Sequence, residues 1–165
     1  MCVVAPSLFA QASSGSGAGP SSEIQRSYQN VKNNLLKSAD KMPDADYSFK
    51  PTPEIRTFAE VLGHVVTAQS RTCAAASGEG KPVDVTGKTS KADVVAALQE
   101  SFAICDKAYS GLTDANGSEA IKTPRGQATR LGMLVGNLAH DSEQYGLIAM
   151  YLRMKGIVPP SSDRR

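Results

Sequence analysis

The chain of 165 residues contains two histidines, and both lie in segments with helical patterning. His64 sits in TFAEVLGHVVTAQ. His140 sits in NLAHDSEQYGLIAMYLRMKG, one turn ahead of Gln144. His140 and Gln144 are i, i+4, so their side chains stack along one helix face, at the spacing from which two residues can reach one cation. If the two histidine-bearing helices are neighbours, two imidazole nitrogens and one amide oxygen converge. Three neutral ligands leave positions open for water or substrate, which is the layout of a catalytic metal site rather than a structural one. Glu143, about 60° further round the helix, offers an anionic ligand instead. Asp141 is expected to point well away, toward the helix surface or a partner. Helical histidines also serve as ordinary packing or surface residues, so composition alone leaves both readings open.

Other chemistries find no support. There is no Ser-His-Asp arrangement, no phosphate loop, no dinucleotide fingerprint and no CxxC. Nothing beside Cys73 or Cys105 would depress a thiol pKa, so neither reads as a nucleophile. Glu143, Tyr145 and Arg130 are acid–base candidates only by their nearness on the helix, and each serves equally well as a solvated charge or a packed ring.

The elements that must position these residues are helices. Ile24, Tyr28, Val31, Leu35 and Ala39 recur at steps of three and four, which predicts a helix from about Ser22 to Lys41. The Pro-rich loop MPDADYSFKPTPEIR follows. Thr57 and Glu60 form a capping-box pattern that opens a second helix, which runs to Gly78. Ser90 and Asp93 open a third, and a fourth runs from about Gln127 to Lys155 before Gly156. No strand is expected. Four such helices can bury one another as an all-α bundle, and the long loops leave room for one crossover connection.

On the fourth helix, Leu131, Leu134, Val135, Leu138, Tyr145, Ala149 and Leu152 form one apolar stripe. Met133, Gly136, His140, Gln144, Leu147 and Tyr151 form a second, nearly opposite. A helix apolar on two sides is buried on two sides, either centrally in the bundle or against a second subunit. Gly132 and Gly136 are expected to admit another helix at close range. No membrane span is expected, because the uncharged run ends at HDSE.

Composition sets the remaining bounds. At 41% hydrophobic and 21% charged, the chain is an ordinary globular domain. A net charge of +2 with no basic run gives nucleic-acid binding no electrostatic support. Residues 1–21 read as a leader. They are uncharged and carry Ala10-Gln11-Ala12 after a short apolar run, like the cleavage end of an export signal whose front is missing. The expectation is a periplasmic or extracellular protein, with a cytoplasmic one as the alternative. Residues 22–161 form the domain and 162–165 a tail. With Cys2 removed, Cys73 and Cys105 remain, either as a disulfide in an oxidising compartment or as two buried thiols.

The blocks PTPEIRTFAEVLGH and AHDSEQYG, with the run LGMLVGNLAHDSEQYGLIAMYLRMKGIVPPSS, resemble the DinB-like four-helix-bundle superfamily over about Ser22 to Ser161. The resemblance implies an up-up-down-down bundle, often dimeric, that binds a divalent metal, usually Zn or Ni. The implied ligands are a helix-two histidine, here His64, and an H-x-x-x-H pair in helix four. The first of that pair is His140, and the second falls on Gln144. An amide oxygen is a weaker and harder donor than imidazole, which lowers the expected affinity. The resemblance further implies a metal-dependent thiol transferase or hydrolase acting on a small molecule that the sequence does not identify. The alternative is a non-catalytic helical module of the cell envelope with a weak or vacant metal site.

Overall fold

The computed structural model describes residues 19–124 and 126–163. The leader expected over residues 1–21 lies outside the described residues as far as residue 18. Four helices dominate: α1 (Pro20–Lys41), α2 (Phe58–Ser77), α3 (Lys91–Ser110) and α4 (Arg130–Met154). A short antiparallel hairpin, β1 (Ala120–Thr123) with β2 (Gly126–Thr129), precedes α4. Single 3₁₀ turns occupy Asp44–Asp46 and Pro160–Ser162.

Local chemistry fixes the helix ends. Pro20 at the first turn starts α1 slightly before the apolar pattern does. The capping box of α2 is formed: the Glu60 amide donates to Thr57 Oγ1, and the Thr57 amide to Glu60 Oε2. Gly78 ends α2 in the left-handed conformation at φ 75°, where a side chain would be strained. Ser90 caps α3, accepting from the Asp93 amide. Thr129 caps α4, accepting from the Gly132 amide. That cap places the start of α4 at Arg130, and Gln127 to Thr129 belong to β2. The hairpin was not expected, because strands of only four residues, AIKT and GQAT, are too short for their alternation to stand out in the sequence.

The bundle and its long crossover are as expected, but the directions run up-down-down-up rather than up-up-down-down. Gln69 pairs with Ser101 and Cys73 with Cys105, each 32 residues apart, so α2 and α3 are parallel. The connection between them returns along α2. The Val83 amide donates to Ser70 Oγ, and Val85 packs over Gly63. Helix α1 runs opposite to α3: Gln25 donates to the Tyr109 carbonyl at one end, and Lys91 to the Met42 carbonyl at the other. Helix α4 opposes α2, with Arg130 reaching the Ala76 carbonyl and Phe58 near Tyr151.

The core contains Leu35, Phe58, Leu62, Val65, Leu98, Phe102, Leu134 and Ile148, all essentially inaccessible. Each such side chain contributes roughly 1.5–3 kcal/mol by leaving water. The Cys73–Cys105 disulfide ties α2 to α3 within this core. No helix among the described residues is long and apolar enough to cross a membrane.

Helix α4 departs from the two-stripe expectation. Its buried seam is Leu134, Asn137, Asp141, Gln144, Ile148 and Tyr151, spaced alternately three and four apart. Three of these six are polar. The two apolar stripes are the shoulders of a single broad face whose centre is polar, and Val135 is exposed.

Candidate metal centre

Helix α2 supplies His64 and α4 supplies His140, and the antiparallel packing brings their Nε2 atoms to 3.1 Å. The rings meet edge-on, with centroids 5.0 Å apart. Two nitrogens bound to one Zn at ~2.0–2.1 Å, with angles between octahedral and tetrahedral, lie about 2.9–3.4 Å apart. The same separation suits one N–H···N hydrogen bond. The pair is therefore dimensioned to share one cation or one proton.

Asp141 reorganises this picture. Rather than pointing away, it is 1% exposed, and its Oδ1 lies 3.2 Å from Nδ1 of His140. A carboxylate only accepts, so the Nδ1 proton belongs to that contact and the His140 Nε2 lone pair is left facing His64. Asn137 Nδ2 donates to Asp141 Oδ2 at 3.0 Å and to the Tyr109 hydroxyl at 3.2 Å. Tyr109 in turn donates to the Leu134 carbonyl and stacks on Tyr28 at 3.8 Å. Burial pushes the Asp141 carboxyl above the ordinary carboxylate range, while the contacts from His140 and Asn137 pull it back. Burial likewise lowers the His64 pKa, and the Arg56 and His140 charges lower it further; Glu143 opposes them. These effects favour the neutral imidazole, the form that binds a metal.

Gln144 is buried, and its Oε1 has no hydrogen-bond partner among the described residues. An orphaned buried amide oxygen is costly, and a cation would satisfy it. The 3.1 Å imidazole pair fits a divalent metal, and Gln144 holds its orphaned acceptor one turn further along α4, outside the lining of the groove onto which the histidines open. No third His, Cys, Asp or Glu joins the pair in a metal-holding cluster among the described residues, and Glu143 is exposed. The acid–base candidates Tyr145 and Arg130 are engaged elsewhere. The Tyr145 hydroxyl donates to Ser161 Oγ and anchors the tail. Arg130 caps the end of α2 and pairs with Glu119 at 2.8 Å.

Both histidines open onto a groove of 680 Å³ between α2, α4 and the hairpin. Gly132 and Gly136 line it rather than admitting a helix, and a Cβ at Gly136 would meet nothing within 4 Å. Sequence reasoning missed Asp141, Asn137 and Tyr109 at this centre. The i, i+4 spacing of Asn137 and Asp141 within the Leu134–Ile148 series was the available signal.

An antiparallel α2–α4 pair with facing histidines, inside a four-helix up-down-down-up bundle, defines a class of helical proteins with a polar centre at mid-bundle. The DinB superfamily pattern matches residues 27–148, and the chain belongs to that superfamily. Among solved structures, it is similar to a DinB-like protein from Bacillus cereus, with 20% identity, a TM-score of 0.70 and coverage of 83% of this chain and 93% of that one. A DinB-like protein from Bacillus subtilis follows at 19% identity and TM-score 0.64, covering 81% and 92%. A conserved protein from Enterococcus faecalis is 12% identical with a TM-score of 0.61, covering 81% and 95%. At such identities the likeness is one of fold. No curated protein matches the sequence.

Proposed function

We infer that the chain is a divalent-metal-binding member of the DinB superfamily, with His64, His140 and Gln144 as ligands and Zn or Ni as the metal. The carrying observation is the 3.1 Å separation of two imidazole Nε2 atoms at the wall of an open groove. Asp141 and Asn137 support the reading by fixing the tautomer and orientation of His140. A bound divalent cation supplies Lewis acidity, suited to hydrolysis of a small molecule in the groove or to stabilising a thiolate.

Hydrolysis is the favoured class. The Cys73–Cys105 disulfide suits an oxidising compartment, consistent with the expected export, and low-molecular-weight thiol cofactors are scarce there. Metal analysis of protein purified without a histidine tag tests the site, with His64→Ala and His140→Ala alongside. One equivalent of Zn or Ni, lost in both variants, is expected. Full retention by either variant removes that residue from the ligand set.

A second reading has its own observation. The same imidazole contact fits a hydrogen bond, and no third His, Cys, Asp or Glu among the described residues completes a metal-holding cluster. On that reading the chain is a non-catalytic helical module, and protein dialysed against Zn and then against buffer would retain no metal.

A further inference from the structure

The groove beside the histidine pair has an uneven charge. Its lining includes Arg71, His64, His140, Thr72 and Asn137, and among the described residues no carboxylate contributes to it. The Arg71 guanidinium is exposed and makes no hydrogen bond or ion pair among the described residues. A second hollow on the other side of His64 carries Arg56 and Lys88 but also Glu60, so its charge is mixed. The Arg71 groove combines both histidines with a cation that has no carboxylate partner among the described residues.

Arg71 lies seven residues after His64, on nearly the same face of α2. At ~1.5 Å per residue the two Cα atoms are about 10 Å apart along the axis. An anion on the guanidinium would therefore sit on the order of 10 Å, roughly up to eight bonds of extended chain, from a group at the histidines. A groove of 680 Å³ is within the usual size range of small-molecule sites. A guanidinium binds planar anions in two-pronged fashion, and a free one in a carboxylate-free groove is placed for that role.

We propose that this groove binds a compact anionic molecule, its carboxylate or phosphate held by Arg71 and its reactive end at the His64–His140 pair. The proposal rests on the metal-centre reading for what happens at that end, but not for the anion contact itself. The substrate class is thus a short acid carrying a hydrolysable or otherwise electrophilic group within roughly eight bonds of its charge.

The test is a titration of the ¹⁵N-labelled full chain followed by NMR, at constant ionic strength, with and without added Zn. Succinate and inorganic phosphate are the anionic probes, and succinamide is the neutral control. At least one anion should shift the Arg71 Nε–H signal and the amides of Thr72, Gly132 and Gly136, with succinamide silent. Which anion does so assigns carboxylate or phosphate. Arg71→Gln should weaken binding about tenfold or more, with Arg71→Lys in between; the side chain is exposed, so neither change threatens folding. Metal content is measured in the same samples. Anion binding lost with metal retained isolates the Arg71 role. Anion binding intact in protein that never takes metal sinks the metal reading and leaves this one standing. No shift from either anion, equal shifts from succinamide, or wild-type binding by Arg71→Gln overturns the proposal.

Discussion

Asp141 Oδ1 lies 3.2 Å from Nδ1 of its sequence neighbour His140, and the carboxylate is almost wholly buried while the imidazole remains partly exposed. The contact points one ring nitrogen inward and leaves the other facing His64 at 3.1 Å. Asn137 secures the other carboxylate oxygen. A buried carboxylate with two partners thus sets the aim of a half-buried histidine.

Asp141→Asn keeps the volume and removes the charge. Loss of such an outer partner usually costs about 10–100-fold in metal affinity. Zn titration of this variant should show that weakening, with the helical circular dichroism unchanged. Wild-type affinity would assign Asp141 to folding alone.

Gln144→His places a second imidazole on α4 one turn from His140, and imidazole outranks an amide oxygen as a ligand for Zn or Ni. The variant should bind either metal more tightly than wild type. Gln144→Met removes the orphaned oxygen. It should stabilise the metal-free protein by about 1–3 kcal/mol in urea denaturation while weakening Zn binding. A Met variant that binds Zn normally would exclude Gln144 as a ligand.

The pH dependence follows from His64. Its pKa is lowered from 6.5 by burial first and the Arg56 charge second. The unfolded chain therefore binds the proton more readily than the folded one. The stability from His64 is full above the unfolded pKa and is lost as pH falls from there through the folded value. The urea midpoint of the metal-free protein should drop on acidification below about pH 6.5, and His64→Gln should flatten that part of the slope. An unchanged slope in the variant would show that His64 does not titrate differently in the two states.

The Cys73–Cys105 link closes a 32-residue separation. Replacing both with Ala should cost roughly 3–4 kcal/mol on the chain-entropy account, read from the shift in denaturation midpoint. Denatured, unreduced full-length protein should titrate one thiol, Cys2, of its three cysteines. Three thiols would mean that the helices are not bridged.

The sequence alone determined the elements that local chemistry controls. The capping box at Thr57 and Glu60, the stop at Gly78 and the Ser90 cap involve neighbours within one helical turn, so they can be read directly. The apolar repeat of α1 and the histidine-bearing faces of α2 and α4 followed from periodicity.

Tertiary structure decided what depends on distant partners. The order of directions was not in any helix pattern, because an apolar face looks the same whichever way its neighbour runs. It took the parallel pairing of Gln69 with Ser101 and Cys73 with Cys105 to fix it. The polar seam of α4 was hidden for a related reason. Asp141 reads as pointing outward until other helices enclose it, and only packing can make a buried carboxylate tolerable by giving it Asn137 and His140 as partners. The meeting of His64 with His140, across 76 residues of chain, belongs to that same packing.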